Sequence, residues 1–404
     1  MLVWPGKAAP PGCVAHTKNA PDARPPPPTH PTLVSQMATP TAPTPPPATT
    51  TAAAPELTLS AATAVVLHDG RAVLGESPAH DARTGAVYYV DIEGRQVVVL
   101  PAGFETGGVA AAGEKGAGGG GGGDNNAGSA GADPAAPFSI PAPLPVGGVT
   151  PTSDPHTLLV SQPDAVHLLH LPTRALGPAL ATIPADHALP GTRFNDGLAS
   201  PQGVWVGGRL HKDWRDGRRA RVYALVWEGQ DGDKKAALKP VLEEAEVGMA
   251  NGMAWTASGT VFYIADSADR CVRAFDADPD TGVPMSGSGR VVVSTATLGG
   301  AVPDGLCADA GGRLWVALAE TGAVGVFSPN PETGGTEVGR LTNLPFTRLT
   351  SCAWGKGAGA GGLLLVTSRE EKGAGASPAA GALAVVAGSG GRGSPGGCGL
   401  VRLP

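Results

Sequence analysis

The stretch NGMAWTASGTVFYIADSADRCVRAF (residues 251–275) alternates short apolar runs with polar turns. One run closes at Trp255, a second covers Val261 to Ala265, and after Asp266-Ser267 a third covers Val272 to Phe275. Short apolar runs punctuated by Gly, Asp and Pro are an all-β signal. Helical periodicity is almost absent from residues 56–371. The run Tyr263-Ile264-Ala265 has counterparts at Tyr89-Val90-Asp91, Leu159-Val160-Ser161, Trp205-Val206-Gly207, Trp315-Val316-Ala317 and Leu365-Val366-Thr367. In chain order the intervals are 70, 46, 58, 52 and 50 residues. The first contains a Gly-rich insertion; removing about 20 residues for it brings all five close to a single period of roughly 50. Six strand-rich units of that length predict a six-bladed β-propeller, in preference to a two-sheet sandwich, which needs no such even spacing.

The period also resolves the chain length. At about 150 residues per domain, 404 residues suggest two or three domains. Yet Gly (61) and Pro (40) make up one residue in four, so part of the chain is set aside from the folded body. Residues 1–55 hold 15 of the 40 prolines and one acidic residue, Asp22. They read as a disordered Pro/Thr/Ala-rich tail, since such a segment buries too little apolar surface to offset its ordering entropy. The scarcity of acidic residues also admits a plastid or mitochondrial transit peptide; a lone arginine, Arg24, and a lone serine, Ser35, argue against it. The expected location is accordingly cytoplasmic, or plastid if the tail is a transit peptide. The Gly-rich insertion near 108–137 and the Gly-rich C-terminal segment 372–399 read as flexible. What remains, roughly 285 residues within 56–404, is about what six blades require.

Bulk chemistry excludes several classes. The net charge is −6, and Lys212 to Arg221 is the one basic stretch, which argues against nucleic-acid binding. No apolar run of about 18 residues suggests a membrane span. Five cysteines (Cys13, Cys271, Cys307, Cys352, Cys398) without a CxxC argue against a disulfide scaffold or zinc knuckle and suit a reducing compartment.

Polar residues recur at one offset before the repeated runs. Glu76 lies 13 residues before Tyr89, Asn195 lies 10 before Trp205, Asn251 lies 12 before Tyr263, and Asp304 lies 11 before Trp315. Three of them open similar phrases: Asn195-Asp196-Gly197-Leu198, Asn251-Gly252-Met253 and Asp304-Gly305-Leu306. Equivalent positions on the innermost strands of a propeller converge on one channel, and the glycines let backbones approach there. Glu76, Asn251 and Asp304 would offer two carboxylates and an amide oxygen, a hard set suited to Ca²⁺, Mg²⁺ or Mn²⁺. The competing reading is that Asn-Gly and Asp-Gly are simple turn signals. Asp91, Asp266 and Asp309 at the ends of runs read as turn formers. Cys307, Cys352, Trp255, Trp315 and Trp354 read as core.

The blocks Leu74-Gly75-Glu76-Ser77-Pro78, Arg193-Phe194-Asn195-Asp196-Gly197, Asn251-Gly252-Met253-Ala254-Trp255, Pro303-Asp304-Gly305-Leu306, Leu314-Trp315-Val316-Ala317 and Thr350-Ser351-Cys352-Ala353-Trp354-Gly355 follow one another in order. Together they resemble the regucalcin/gluconolactonase (senescence marker protein-like) lactonase family. The resemblance implies a six-bladed propeller with one divalent ion, commonly Ca²⁺ or Zn²⁺, that polarises a sugar-lactone carbonyl for attack by water. It implies Glu76, Asn251 and Asp304 as metal ligands, Asp304 as the base, and Arg193 and Asn195 as substrate contacts. Asp213 falls where regucalcin-like members have Glu at the substrate site, within a segment, Arg209 to Arg221, that is unusually basic for the family. His80 stands where the family has Trp and reads as a packing substitution. The rival reading is a non-catalytic Ca²⁺-binding regulatory propeller, which would not need Arg193 and Asn195 in the channel. A strictosidine synthase-like propeller would not need the acidic triad. No Gly-x-Ser-x-Gly elbow points to an α/β-hydrolase.

Overall fold

The computed structural model describes residue 59 and residues 63–103, 136–217, 219, 221–230, 233–319, 321–355, 362–387 and 399–404. The readings placed on 1–55, and on nearly all of the insertion near 108–137, lie outside these described residues.

The described strands form six four-stranded sheets, and the fold is a six-bladed β-propeller. The innermost strands of blades 1 to 6 are Gly75–Asp81, Gly148–Pro151, Thr192–Ala199, Ala250–Trp255, Pro303–Ala308 and Leu349–Trp354. Each packs on the next, and the sixth packs on the first, which closes the ring. The six repeated apolar runs all fall on the second strand of a blade: Ala86–Asp91, Thr157–Gln162, Trp205–His211, Val261–Asp266, Leu314–Leu318 and Leu364–Ser368. These strands are covered on both faces by neighbouring blades, so they are apolar in runs and do not alternate. Outer strands such as Ala175–Thr182 and Lys235–Leu242 are half-exposed and read as mixed sequence.

The apolar core is divided among the six interfaces between blades. Tyr88 and Val90 meet Leu158 and Val160 between blades 1 and 2. Trp315 and Val324 meet Leu364 and Val366 between blades 5 and 6, where Cys307 and Cys352 are buried as core residues. Every blade therefore stabilises two neighbours.

Closure of the ring corrects one sequence expectation. Within the segment 372–399, read as flexible, Leu383–Ala387 is a buried strand. It pairs antiparallel with Thr63–His68, so the earliest strand supplies the outer edge of blade 6. Five apolar residues suffice to form a strand there because a prepared sheet edge and an apolar interface await them. Downstream, Val401 bridges Thr152 in parallel, its N–H donates to the Pro151 carbonyl at 3.0 Å, and its side chain joins Leu159, Trp205 and Tyr223. Residues 399–404 thus clasp blades 2 and 3. Val401→Asp would place an unpaired charge in that cluster and is expected to cost about 3 kcal/mol or more, read as a lower urea midpoint.

Among the described residues no helix is long and apolar enough to cross a membrane.

Candidate active site and metal centre

Each inner strand that carries a candidate residue breaks its ladder at that residue. Register shifts fall between Glu76 and Ala79, Phe194 and Asp196, Ala250 and Met253, and Pro303 and Leu306. Of the two inner strands without a candidate, that of blade 2 pairs without a shift and that of blade 6 shifts between Leu349 and Ser351. Bulges re-aim side chains, and here they turn polar groups out of the pleat. In blade 1 the bulge holds Ser77 at φ 53, a left-handed conformation uncommon for a residue with a Cβ.

The glycines of the repeated phrases serve close approach between strands. A Cβ on Gly252 would lie 2.1 Å from the Leu306 nitrogen, and one on Gly305 would lie 2.4 Å from the Ser351 Cα. Carboxylates at strand ends fix the neighbouring turns: Asp91 and Asp266 end second strands, and Asp309 follows the inner strand of blade 5. Asp91 accepts hydrogen bonds from the N–H groups of Val73, Leu74 and Gly94. Asp266 does so from Gly248 and Met249. They fix the chain entering the strands of Glu76 and Asn251, and Asp309 accepts from Gly311, Arg313 and Trp315. All three are turn formers, as expected.

Glu76, Asn195, Asp196 and Asn251 are buried. Arg193 Nη1 donates to Asn195 Oδ1 at 2.8 Å, and Asn195 Nδ2 donates to Asn251 Oδ1 at 3.0 Å. Asn251 Nδ2 donates to Ser267 Oγ at 3.0 Å, and that hydroxyl donates to the Pro303 carbonyl at 2.6 Å. A relay of polar groups therefore links blades 3, 4 and 5 and ends beside Asp304, whose ionised form the Asn251 amide favours. Asp304 Oδ1 is buried and has no hydrogen-bond partner.

The electrostatics join blades 1, 3 and 5. Burial, with the neighbouring Asp304 and Asp196 carboxyls, pushes the Glu76 carboxyl well above its ordinary range. Burial, with Asp196, does the same to Asp304, while Asn251, Arg369 and Arg193 oppose it. Asp196 is pushed up to about 6 by burial, against hydrogen bonds from Gly197 N–H and Ser77 Oγ. Burial lowers the Arg193 pKa, against the acids around it.

Five of the six residues singled out from the sequence thus come together: Glu76, Arg193, Asn195, Asn251 and Asp304. Asp213 is not joined to them. It precedes the short turn Trp214–Asp216, is 44% exposed, and lies 3.8 Å from His211 Nδ1, with no hydrogen bond or ion pair to Arg193 or Asn195. The basic segment around it is largely neutralised: Arg209 pairs with Asp164, Arg219 with Asp269, and Arg221 with Glu243 and Glu244. Ser77, Asp196 and Arg369 join the site without having been assigned a role. Asp196 stood inside a quoted phrase, but strict strand alternation would turn it away from the face of Asn195.

Among the described residues no group of three or more His, Cys, Asp or Glu is arranged to hold a metal. The candidate set uses two carboxylates and an amide, a hard-oxygen set. The unpartnered buried Asp304 Oδ1 and the carboxyls of Glu76 and Asp304, raised by burial and by neighbouring acids, both call for a cation. The residues fit such an ion.

Six four-stranded blades closed in a ring, with buried polar side chains gathered on the inner strands, define a six-bladed β-propeller with a polar candidate site. The chain belongs to the SMP-30/Gluconolactonase/LRE-like family, whose model matches residues 74–369. It is 34% identical to regucalcin of Danio rerio over 167 residues, 41% of this chain and 51% of that protein. It is likewise 34% identical to a pentonolactonase of Haloferax volcanii over 164 residues, 41% of this chain and 50% of that one. The chain spans about half the length of the curated relatives it matches. In fold it is similar to a calcium-binding protein, regucalcin, from Agrobacterium tumefaciens, with TM-score 0.65 and 22% identity over 84% of this chain and 98% of that one. A gluconolactonase from Xanthomonas campestris gives TM-score 0.52 and 17% identity over 81% and 90%.

Proposed function

We propose that the channel hydrolyses a sugar lactone with the help of one divalent cation held by Glu76, Asn251 and Asp304. The observation that carries this reading is the buried, unpartnered Asp304 Oδ1 beside a second carboxylate and an amide. Family membership and lactonase relatives support it. When bound, the cation would supply Lewis-acid polarisation of the lactone carbonyl and hold the nearby carboxyls ionised.

The chain's own groups do the rest. Asp304 Oδ1 has a lone pair free to take a proton from the attacking water. Asn251 holds the Asp304 carboxyl from one side. Arg193, whose Nη1 is locked to Asn195 Oδ1 at 2.8 Å, presents its Nη2 and Nε donors to ring and hydroxyl oxygens of the sugar, while Asn195, with both amide N–H groups given to Asn251 Oδ1 and the Ala250 carbonyl, offers its Oδ1 as an acceptor. Loss of activity across a panel of aldonolactones after chelation, and recovery on adding Ca²⁺, Zn²⁺, Mn²⁺ or Mg²⁺, is the expected result.

Chelator-treated protein should also show an inverted pH response. Asp196 is raised from 3.8 to about 6, and Glu76 and Asp304 move the same way. A raised carboxyl pKa means that the folded state binds the proton more tightly than the unfolded chain. For Asp196 the resulting stabilisation is complete below about pH 4 and disappears as pH rises through 6, and Glu76 and Asp304 contribute in the same direction. Acids with lowered values, such as Asp81 and Glu371, are ionised in both states above pH 5 and add no slope there. The Tm of the chelated protein is therefore expected to fall between pH 5 and 7, and a divalent cation should flatten that fall. Superimposable pH profiles with and without cation would contradict the reading.

A further inference from the structure

Two guanidinium groups belong to this channel, and they come from opposite sides of it. Arg193 is on the inner strand of blade 3, and Arg369 directly follows Ser368 at the end of the second strand of blade 6. In a six-membered ring these blades face each other. Arg369 pairs through its backbone with Leu74, two residues before Glu76, and its N–H donates to the Arg348 carbonyl at 3.0 Å. It therefore stands where the Glu76 strand begins, at the mouth, and its charge favours the ionised form of Asp304.

The two arginines differ in what they already hold. Arg193 Nη1 is committed to the Phe194 carbonyl and Asn195 Oδ1, and four acids surround it. The Arg369 side chain makes no hydrogen bond or ion pair among the described residues, and its Nε is buried without a partner. The two acids that follow it in sequence are engaged elsewhere. Glu370 meets Lys372 at 3.2 Å, and Glu371 accepts from Thr347, Arg348 and Ser377. A buried guanidinium N–H without an acceptor is costly, and the planar fork matches a carboxylate better than a hydroxyl.

We propose that Arg369 recognises a free carboxylate carried by the substrate, so that the site prefers lactones of dicarboxylic sugar acids over neutral aldonolactones. This rests on reading the channel as a lactone site. Arg369 acts here on specificity, with the bond-breaking chemistry left to the groups already described.

The test compares the full-length, metal-supplemented protein on glucaro-1,4-lactone, which bears a carboxylate, and glucono-1,5-lactone, which does not. Wild type is expected to favour the acidic lactone in kcat/KM by about tenfold or more. Arg369→Met should erase that preference through a roughly 10- to 100-fold rise in KM for the acidic lactone, over and above any change in kcat that the two lactones share through Asp304. Arg369→Lys should fall between. A wild-type preference for the neutral lactone, or an unchanged ratio in the variant, overturns the proposal. So does an equal loss on both substrates, which would place Arg369 at the newly formed carboxylate.

Calorimetric binding of glucarate and gluconate separates this proposal from the lactonase reading. If no lactone is turned over, the lactonase reading fails. Tighter binding of glucarate that depends on Arg369 would still support the assignment, and equal binding of the two acids would end it.

Discussion

Asp304→Ala is expected to lower kcat for lactone hydrolysis by about 10³-fold, with a weaker dependence on added divalent cation. Two losses combine in that number. The variant lacks the one buried carboxylate oxygen among the described residues that no protein group occupies, and so lacks the acceptor for the proton of the attacking water. It also lacks one of the two carboxylates available to a cation. Asp304→Asn sharpens the interpretation, because it keeps the volume and the contact to Asn251 while removing the charge. If the charge is what matters, both variants fall together; if packing matters, the Asn variant recovers most of the rate. Circular dichroism and urea midpoints should show both folded, since removing the Asp304 carboxyl takes away a buried acid and one source of repulsion on Glu76 in the metal-free protein.

Gly252→Ala should have the largest effect on stability of any single methyl group in the channel wall. The new Cβ would sit 2.1 Å from the Leu306 nitrogen and 2.5 Å from the Gly305 carbonyl carbon, both backbone atoms of the neighbouring inner strand. Neither can swing aside as a side chain could, so blades 4 and 5 must separate. A cost of about 3 kcal/mol or more is expected, together with weaker cation binding, because Asn251 and Asp304 ride on the two strands forced apart. Gly355→Ala is the control: its added Cβ meets only ordinary contacts at 3.5 Å, and its urea midpoint should stay near wild type. Similar midpoints for the two variants would mean that the inner ring yields more readily than its geometry implies.

The parts of this protein that were legible in its sequence are those where one physical demand repeats. Second strands are buried on both faces in all six blades, so Tyr263-Ile264-Ala265 and its counterparts share a pattern visible without coordinates. Glu76, Asn195, Asn251 and Asp304 were found because an inner-strand residue keeps a near-constant distance from that pattern. Asp196 was not given a role because it depends on a bulge: Asn195 and Asp196 are adjacent yet both join the site, which strict alternation forbids. Arg369 was missed because its place comes from pairing with Leu74, almost 300 residues earlier in the chain. The strand Leu383–Ala387 was hidden by its Gly-rich surroundings, since its stability comes from the edge it completes and little from its own composition. Asp213 shows the opposite limit. An ungapped count from Asn195 reaches it, but the turn that carries it holds its carboxylate near His211.

The account stands or falls on coupling between a divalent ion and lactone turnover in this channel. The direct measurement is a titration of chelator-treated wild-type protein with Ca²⁺, Zn²⁺, Mn²⁺ or Mg²⁺, following hydrolysis of a responsive aldonolactone by pH-stat and binding by calorimetry. The expected result is a rate that rises from near background and saturates as one ion binds per chain, with both signals lost in Asp304→Ala. A rate that ignores chelation, or an ion that binds as tightly to Asp304→Ala as to wild type, would contradict it.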